Sequence, residues 1–277
     1  MDLLEHWGLR ERPFEPTWDT RFFFQGRAHD EALNRLSFVV GEQTMLLGML
    51  TGEVGCGKTL TRAVFADQLE PQKFCVVTQE NSSFSFNELL GLALQSLDGE
   101  LGNIGRTKSA RYERFKKMLE VLEREQRHLV LIFDEAQEMS PTTLNELKLL
   151  TNLNGAGRTY LTVILVGQPE LRERVERLPA INQRISLRFH LQPLSSEDCI
   201  HYLNHRLKVA GHATGELFTP EAVASAFRGS QGIPRVLNRI AKLALEFAWV
   251  QEHSAVTAEA VEAVVRDLNQ HQKLLTA

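Results

Sequence analysis

The sequence predicts an α/β fold, a three-layer αβα sandwich on a parallel sheet, followed by a small all-α domain. Three observations predict it. Short apolar runs alternate with helical patterns through the middle of the chain, as in a parallel sheet with crossover helices. Each run ends in a loop, and most loops lead into a helix. After Gln192-Pro193, helix starts follow one another with no strand pattern between them.

The five apolar runs are Met45–Leu50, Phe74–Thr78, Leu129–Phe133, Leu161–Val166 and Ile185–Leu191. Between them, Leu60 to Leu69 carries a helical pattern. Phe115, Met118, Leu119 and Leu122 fall at helical spacing, so Lys108 to Glu125 reads as an amphipathic helix. In the C-terminal part, Ser195 to Val209 opens with Ser-Ser-Glu-Asp, a capping sequence. Thr219-Pro220-Glu221 places proline at a first helical position, and two more helices cover Pro234 to Gln251 and Thr257 to Gln270. The expected organisation is an α/β domain over residues 1–192, beginning with an aromatic-rich segment and helix over 1–40, and a helical lid over 193–277.

The chain has 277 residues, 43% of them hydrophobic, and a formal net charge of -4. That charge argues against a protein that coats nucleic acid generally, while leaving room for a local basic patch. The three cysteines, Cys56, Cys75 and Cys199, lack metal-ligand spacing, which points to reduced thiols in a reducing compartment. His201 and His205 stand four apart on a helical stretch, but no third metal ligand accompanies them. The N-terminus does not read as a signal peptide, and the apolar runs are too short to span a bilayer. The expectation is a protein with no integral membrane segment, cytoplasmic or peripheral to the inner membrane.

The most specific motif is Gly52-Glu53-Val54-Gly55-Cys56-Gly57-Lys58-Thr59, which matches G-x-x-x-x-G-K-[ST] between an apolar run and a helical pattern. Glycines let backbone N–H groups turn inward around phosphates. Lys58 brings a point charge to the β- and γ-phosphates, and Thr59 a hydroxyl to Mg²⁺. The helix from Lys58, Thr59 and Leu60 onward points its positive end at the anion. Cys56 contributes a backbone N–H there, with an incidental thiol. Farther on, Leu129-Val130-Leu131-Ile132-Phe133 ends in Asp134-Glu135. Asp134 would hold Mg²⁺ and Glu135 would orient and deprotonate the attacking water. Together the two motifs have the order and spacing of a P-loop NTPase. The run Phe74–Thr78 between them means that the two motif strands need not be neighbours in the sheet.

These residues resemble the AAA+ superfamily, and further positions extend the likeness. Val163-Ile164-Leu165-Val166-Gly167-Gln168 is similar to a sensor 1 strand, which implies that Gln168 contacts the γ-phosphate or the lytic water. Asn182-Gln183-Arg184-Ile185 stands where the superfamily places an arginine finger acting on a neighbouring subunit's nucleotide, with Arg188 as competitor. Gly232-Ile233-Pro234-Arg235 is similar to sensor 2, with Arg235 facing the phosphates. Each arginine also has a plain reading as a surface residue.

The resemblance narrows to ExeA/GspA-type ATPases. It is carried by Trp7-Gly8-Leu9, Arg12-Pro13-Phe14, Phe22-Phe23-Phe24, His29-Asp30-Glu31-Ala32-Leu33, Asp134-Glu135-Ala136-Gln137 and Gly167-Gln168-Pro169-Glu170-Leu171. The chain departs with Trp7 for the usual Phe and Trp18-Asp19 where the family often has Pro-Asp. Larger members continue beyond the lid into a membrane-spanning segment and a peptidoglycan-binding domain. The resemblance implies an ATP- and Mg²⁺-dependent homo-oligomer, a ring or a filament, working with envelope assembly proteins of a secretion or pilus system. Related ATPases of the TnsC/TniB/MuB manner imply an alternative: double-stranded DNA and a transposase as partners. A third reading is a nucleotide-dependent scaffold with little turnover.

Two features stay open in the sequence. Arg106, Lys108, Arg111, Arg114, Lys116 and Lys117 make a basic run, read either as a DNA contact or, preferred, as a solvated helix face opposite the Phe115 stripe. The aromatic segment Trp7–Phe24 reads as core, as a platform near the adenine, or as a partner-docking surface.

Overall fold

The computed structural model describes residues 2–98, 105–155 and 158–276. These fall into two compact units by contact: residues 31–52 with 61–191, and residues 1–30 with 53–60 and 192–277.

The first unit is built on five parallel strands: β1 (Leu47–Gly52), β2 (Phe74–Gln79), β3 (His128–Phe133), β6 (Leu161–Gly167) and β7 (Ile185–Leu191), in the order β2-β3-β6-β1-β7. A short antiparallel pair, β4 (Asn154–Gly155) and β5 (Arg158–Thr159), precedes β6. β1, β3 and β6 are buried at every position, which is why each reads in sequence as an unbroken apolar run. β2 and β7 lie at the edges and are only partly buried. The strand separating β1 from β3 is β6, with Leu47 opposite Val163 and Val163 opposite Leu131. The strand Phe74–Gln79, which intervenes in sequence, is displaced to the edge beside β3.

Side chains alternate between the two faces of a strand. On one face Met49, Leu131, Val163 and Leu165 pack with Phe86, Leu90 and Leu94 of α4 (Phe86–Asp98) and with Phe115, Leu119 and Leu122 of α5 (Lys108–Arg124). Leu50, Ile132 and Ile164 on the other face are also buried, as are Val39 of α2 (Arg27–Gly41) and Phe65 of α3 (Lys58–Gln68). This is the three-layer αβα arrangement. Short helices α6 (Pro141–Glu146), α7 (Pro169–Glu176) and α8 (Pro179–Asn182) each begin with proline at a first-turn position.

The basic run on α5 is partly engaged within the chain. Arg111 donates to the carbonyls of Gly105 (3.0 Å) and Asn87 (2.7 Å), and Lys108 pairs with Glu146. Lys116 and Lys117 are exposed while Phe115 is buried. The exposed lysines thus lie opposite the Phe115 stripe, as both readings of the run require.

In the second unit, α9 (Ser196–Val209), α10 (Pro220–Ser230), α11 (Pro234–Val250) and α12 (Ala258–Thr276) follow in succession, with no strand longer than an isolated bridge among the described residues. Side chains of Ser195 and Thr219 cap α9 and α10 as their sequences lead one to expect. Trp7 of α1 (Leu3–Trp7), Phe14 and Phe22 are buried in the same core as Leu203, Ala226 and Leu237. Arg206 of α9 fastens the segment: its Nε donates to the Pro13 carbonyl at 2.6 Å, an NH2 to the Glu15 carbonyl at 3.1 Å, and its guanidinium lies 4.9 Å from the Phe22 ring centre. Trp7, Phe14 and Phe22 are therefore core residues, whereas Trp18 is 71% exposed. His205 Nε2 lies 3.2 Å from the Arg21 carbonyl, so it serves this packing.

His128 opens β3 and is buried, with Nε2 2.9 Å from Thr162 Oγ1. Burial holds its pKa down to about 4. An unfolded chain takes up this proton near pH 6.5, so stability is full above that pH and falls as the pH drops toward 4. Between pH 7 and pH 5 the expected loss from this residue is about 2 kcal/mol. Urea unfolding at the two pH values measures it, and His128→Gln should flatten the dependence.

Candidate active site

β1 delivers the chain into residues 53–57, and α3 begins at Lys58. Gly55 and Gly57 adopt φ of +86° and +93°, open to glycine at little cost; alternating backbone of this kind forms nests of inward N–H groups that hold anions. Cys56 is fully buried, and burial raises its thiol pKa, so the thiol is not the reactive group of the loop. Lys58, 6% exposed, donates through Nζ to the Glu53 carbonyl at 3.0 Å.

Two features brace this loop from within the same unit. Arg235, at the start of α11, donates its backbone N–H to the Gly55 carbonyl at 3.2 Å. A Cβ on Gly55 would lie 2.7 Å from Arg235 Cβ and 3.3 Å from Ile233 Cγ2. His29 is buried with Nε2 3.4 Å from the Cys56 carbonyl, and Phe23 packs edge-on against its ring. Burial lowers the His29 pKa, so the ring is neutral at pH 7. The sequence shows His29 only as a letter of a family signature; its position under the loop has no local sequence signal.

The acidic pair lies in the other unit, just beyond β3. Asp134 is 2% exposed. Its backbone N–H donates to the Gln79 carbonyl at the end of β2 (2.9 Å), and its carbonyl accepts from Ser82 Oγ (2.6 Å). Its carboxylate meets Arg62 of α3, Nε to Oδ2 3.0 Å, with both side chains under 10% exposed. A buried charge without compensation costs several kcal/mol, so Arg62 is what permits a carboxylate at this depth. Oδ1 accepts the Glu135 N–H at 2.9 Å, which holds Glu135 in the left-handed region at φ +49°, strained for a non-glycine residue.

Glu135 Oε2 accepts from Gln137 Nε2 at 2.6 Å and lies 3.5 Å from Gln168 Nε2. Gln168 is at the end of β6, where Pro169 starts α7. β3 and β6 are paired in parallel, so their carboxyl ends share an edge, and the structure gathers Asp134, Glu135 and Gln168 there. Arg184 is placed elsewhere in the same unit: its guanidinium donates to Thr151 Oγ1 (3.0 Å) and the Ala180 carbonyl (2.6 Å). Arg188, exposed, donates to both oxygens of Asn182. Arg62 carries no local motif that would have revealed it, and Gln137 stands in the Asp134-Glu135-Ala136-Gln137 signature without a role assigned to it.

The donor set fits a magnesium nucleotide. Taken each in its own unit, the loop amides with Lys58 offer donors and positive charge to a polyphosphate, and the Asp134 carboxylate is a hard oxygen ligand of the kind Mg²⁺ takes. Among the described residues no group of three or more His, Cys, Asp or Glu gathers as a separate metal cluster.

Over residues 42–175 the chain matches a protein-family model described as an AAA domain. Its sequence is 34% identical over 249 residues to the General secretion pathway protein A of Aeromonas hydrophila, covering 89% of this chain but 45% of that protein. The chain thus spans less than half the length of this relative. The AAA+ fold is shared with the Aeropyrum pernix ORC2 protein (TM-score 0.69, 17% identity, 92% of this chain and 71% of that one) and with Cdc6p of Pyrobaculum aerophilum (0.67, 17%, 90% and 70%). It is also shared with the Thermotoga maritima RuvB Holliday junction branch migration motor (0.54, 16%, 93% and 74%). Among the described residues, no helix of the chain is long and apolar enough to cross a membrane.

Gly55→Ala tests the loop. The change places a Cβ against Arg235 and imposes a φ that alanine resists. Affinity for an ATP analogue should fall about tenfold or more, while global stability changes by only about 1–2 kcal/mol. Calorimetric titration and urea unfolding measure the two effects.

Proposed function

We propose that the protein is a Mg²⁺-dependent ATPase that acts as a homo-oligomer and drives assembly of a bacterial secretion or pilus system. One observation carries the hydrolytic part: the Glu135 carboxylate stands at the carboxyl end of β3, between the side-chain amides of Gln137 and Gln168 and next to buried Asp134.

The loop of Gly52, Glu53, Val54, Gly55, Cys56 and Gly57, continued by Lys58, Thr59 and Leu60, wraps the phosphates with backbone N–H groups. Lys58 neutralises the β- and γ-phosphates, and Thr59 with Asp134 holds the metal. Bound Mg²⁺ supplies charge neutralisation and orientation to the phosphoryl group. Glu135 takes the proton of the attacking water, and Gln168 fixes that water or the γ-phosphate. Arg235, exposed at the start of α11 and hydrogen-bonded through its backbone to Gly55, reads the phosphates from the helical side.

Arg184 is the finger offered to a neighbouring subunit, where it stabilises charge on the γ-phosphoryl group. Engagement in trans requires it to release Thr151 and the Ala180 carbonyl. The secretion reading rests on the similarity to the General secretion pathway protein A over most of this chain. It places the protein in the cytoplasm or at the inner membrane surface, with envelope assembly proteins as partners.

Glu135→Gln should keep ATP affinity and lower kcat by about 10²-fold or more. Phosphate release together with analogue binding measures this, and turnover persisting in the variant would remove Glu135 from the role of base. Arg184→Ala should lower kcat at least tenfold, roughly the smallest effect expected of a trans-acting arginine, with ATP affinity retained. Its defect should be complemented in mixtures with Glu135→Gln subunits, since each variant supplies what the other lacks; no recovery on mixing would count against a site shared between subunits.

A further inference from the structure

The amide of Gln137 touches both ends of the hydrolytic apparatus. We propose that Gln137 is a positioning residue: it holds the Glu135 carboxylate in one orientation and ties it to the end of β6. The inference rests on the ATPase reading above.

Gln137 is 7% exposed. The Gln168 backbone N–H donates to its Oε1 at 3.0 Å. A backbone N–H can only donate, so the oxygen of the Gln137 amide must face Gln168 and its NH₂ must face away. On that side Nε2 donates to Glu135 Oε2 at 2.6 Å. Both ends of the amide are therefore used, and a flip would break both bonds.

The setting fixes the residue further. The Gln137 carbonyl accepts from Arg174 of α7, so main chain and side chain are both clamped. At Gly167 a Cβ would fall 2.7 Å from Gln137 Oε1; glycine there gives the amide its place. Gln168 Nε2 reaches the same Oε2 from 3.5 Å, the longer of the two approaches. Gln137 is thus the principal donor to Glu135. Both amides address Oε2, and among the described residues no hydrogen bond is made to Oε1, which is thereby open to a water molecule. A carboxylate whose rotamer is set in advance needs no reordering when water and nucleotide arrive.

Two substitutions test this in the full chain with Mg²⁺ and ATP, with Glu135→Gln run in parallel. Gln137→Met keeps the volume and removes both hydrogen bonds. Gln137→Glu keeps an acceptor for the Gln168 N–H but loses the donor to Glu135. The expected result is a fall in kcat of about tenfold or more in both, with KM and analogue affinity within about twofold of the parent. Melting temperatures establish that each variant is folded, and if Gln137→Met is not, Gln137→Glu decides.

Parental kcat in Gln137→Glu overturns the proposal, because the bond to Glu135 would then do nothing. A rise in KM or loss of analogue affinity with kcat unchanged also overturns it, since that marks a merely structural role. If Glu135→Gln itself hydrolyses ATP like the parent, the ATPase reading is what has failed. If Glu135→Gln is inactive and both Gln137 variants are not impaired, only the positioning role has failed.

Discussion

A carboxylate at 2% exposure tolerates little around it, and Asp134 organises its surroundings accordingly. Its charge is met by Arg62, its main chain is fastened to the end of β2 and to Ser82, and its second oxygen accepts the next amide in the chain. That last bond bends Glu135 into a left-handed conformation and turns the chain back toward β6. The parallel order of β1, β6 and β3 then brings the end of β1, the acidic pair after β3 and Gln168 after β6 to the same edge of the sheet. Ligands of open parallel sheets bind at such carboxyl ends.

Most of the sheet was legible because burial on both faces leaves no polar alternation. β1, β3 and β6 lie within two residues of the apolar runs Met45–Leu50, Leu129–Phe133 and Leu161–Val166. β7 coincides with the run Ile185–Leu191, although Arg188 and His190 stand within it. Sheet order was less legible: nothing local says that Phe74–Gln79 goes to an edge while Leu161–Gly167 goes between the motif strands. Strand pairing is a long-range choice.

The site divides in the same way. Gly52–Thr59 and Asp134-Glu135 announce themselves because their chemistry demands fixed residue types at fixed spacing. Arg62, His29 and Gln137 act through contacts that only the folded chain creates. An arginine on a helix, a histidine before an apolar turn and a glutamine after an alanine all have ordinary readings until their partners are known. Gln137 was in view as the last letter of Asp134-Glu135-Ala136-Gln137, yet that pattern says nothing of where its amide points. The aromatic segment is the converse case. Its residues were conspicuous, but only the folded chain, with Arg206 fastening the segment, shows that Phe14 and Phe22 are core while Trp18 faces outward.

Arg206 also has a bearing on the order of synthesis. It joins residues near position 13 to a helix that begins at Ser196, and the core it closes includes Trp7, Phe14 and Phe22 with side chains as far along as Val264. Every residue of the sheet unit is translated before that core can be completed. The aromatic segment leaves the ribosome well before the helices that cover it, and until they follow its apolar side chains stay uncovered. Such a segment is a natural client for chaperones, and the helical unit is the part of the molecule whose formation is most exposed to interruption.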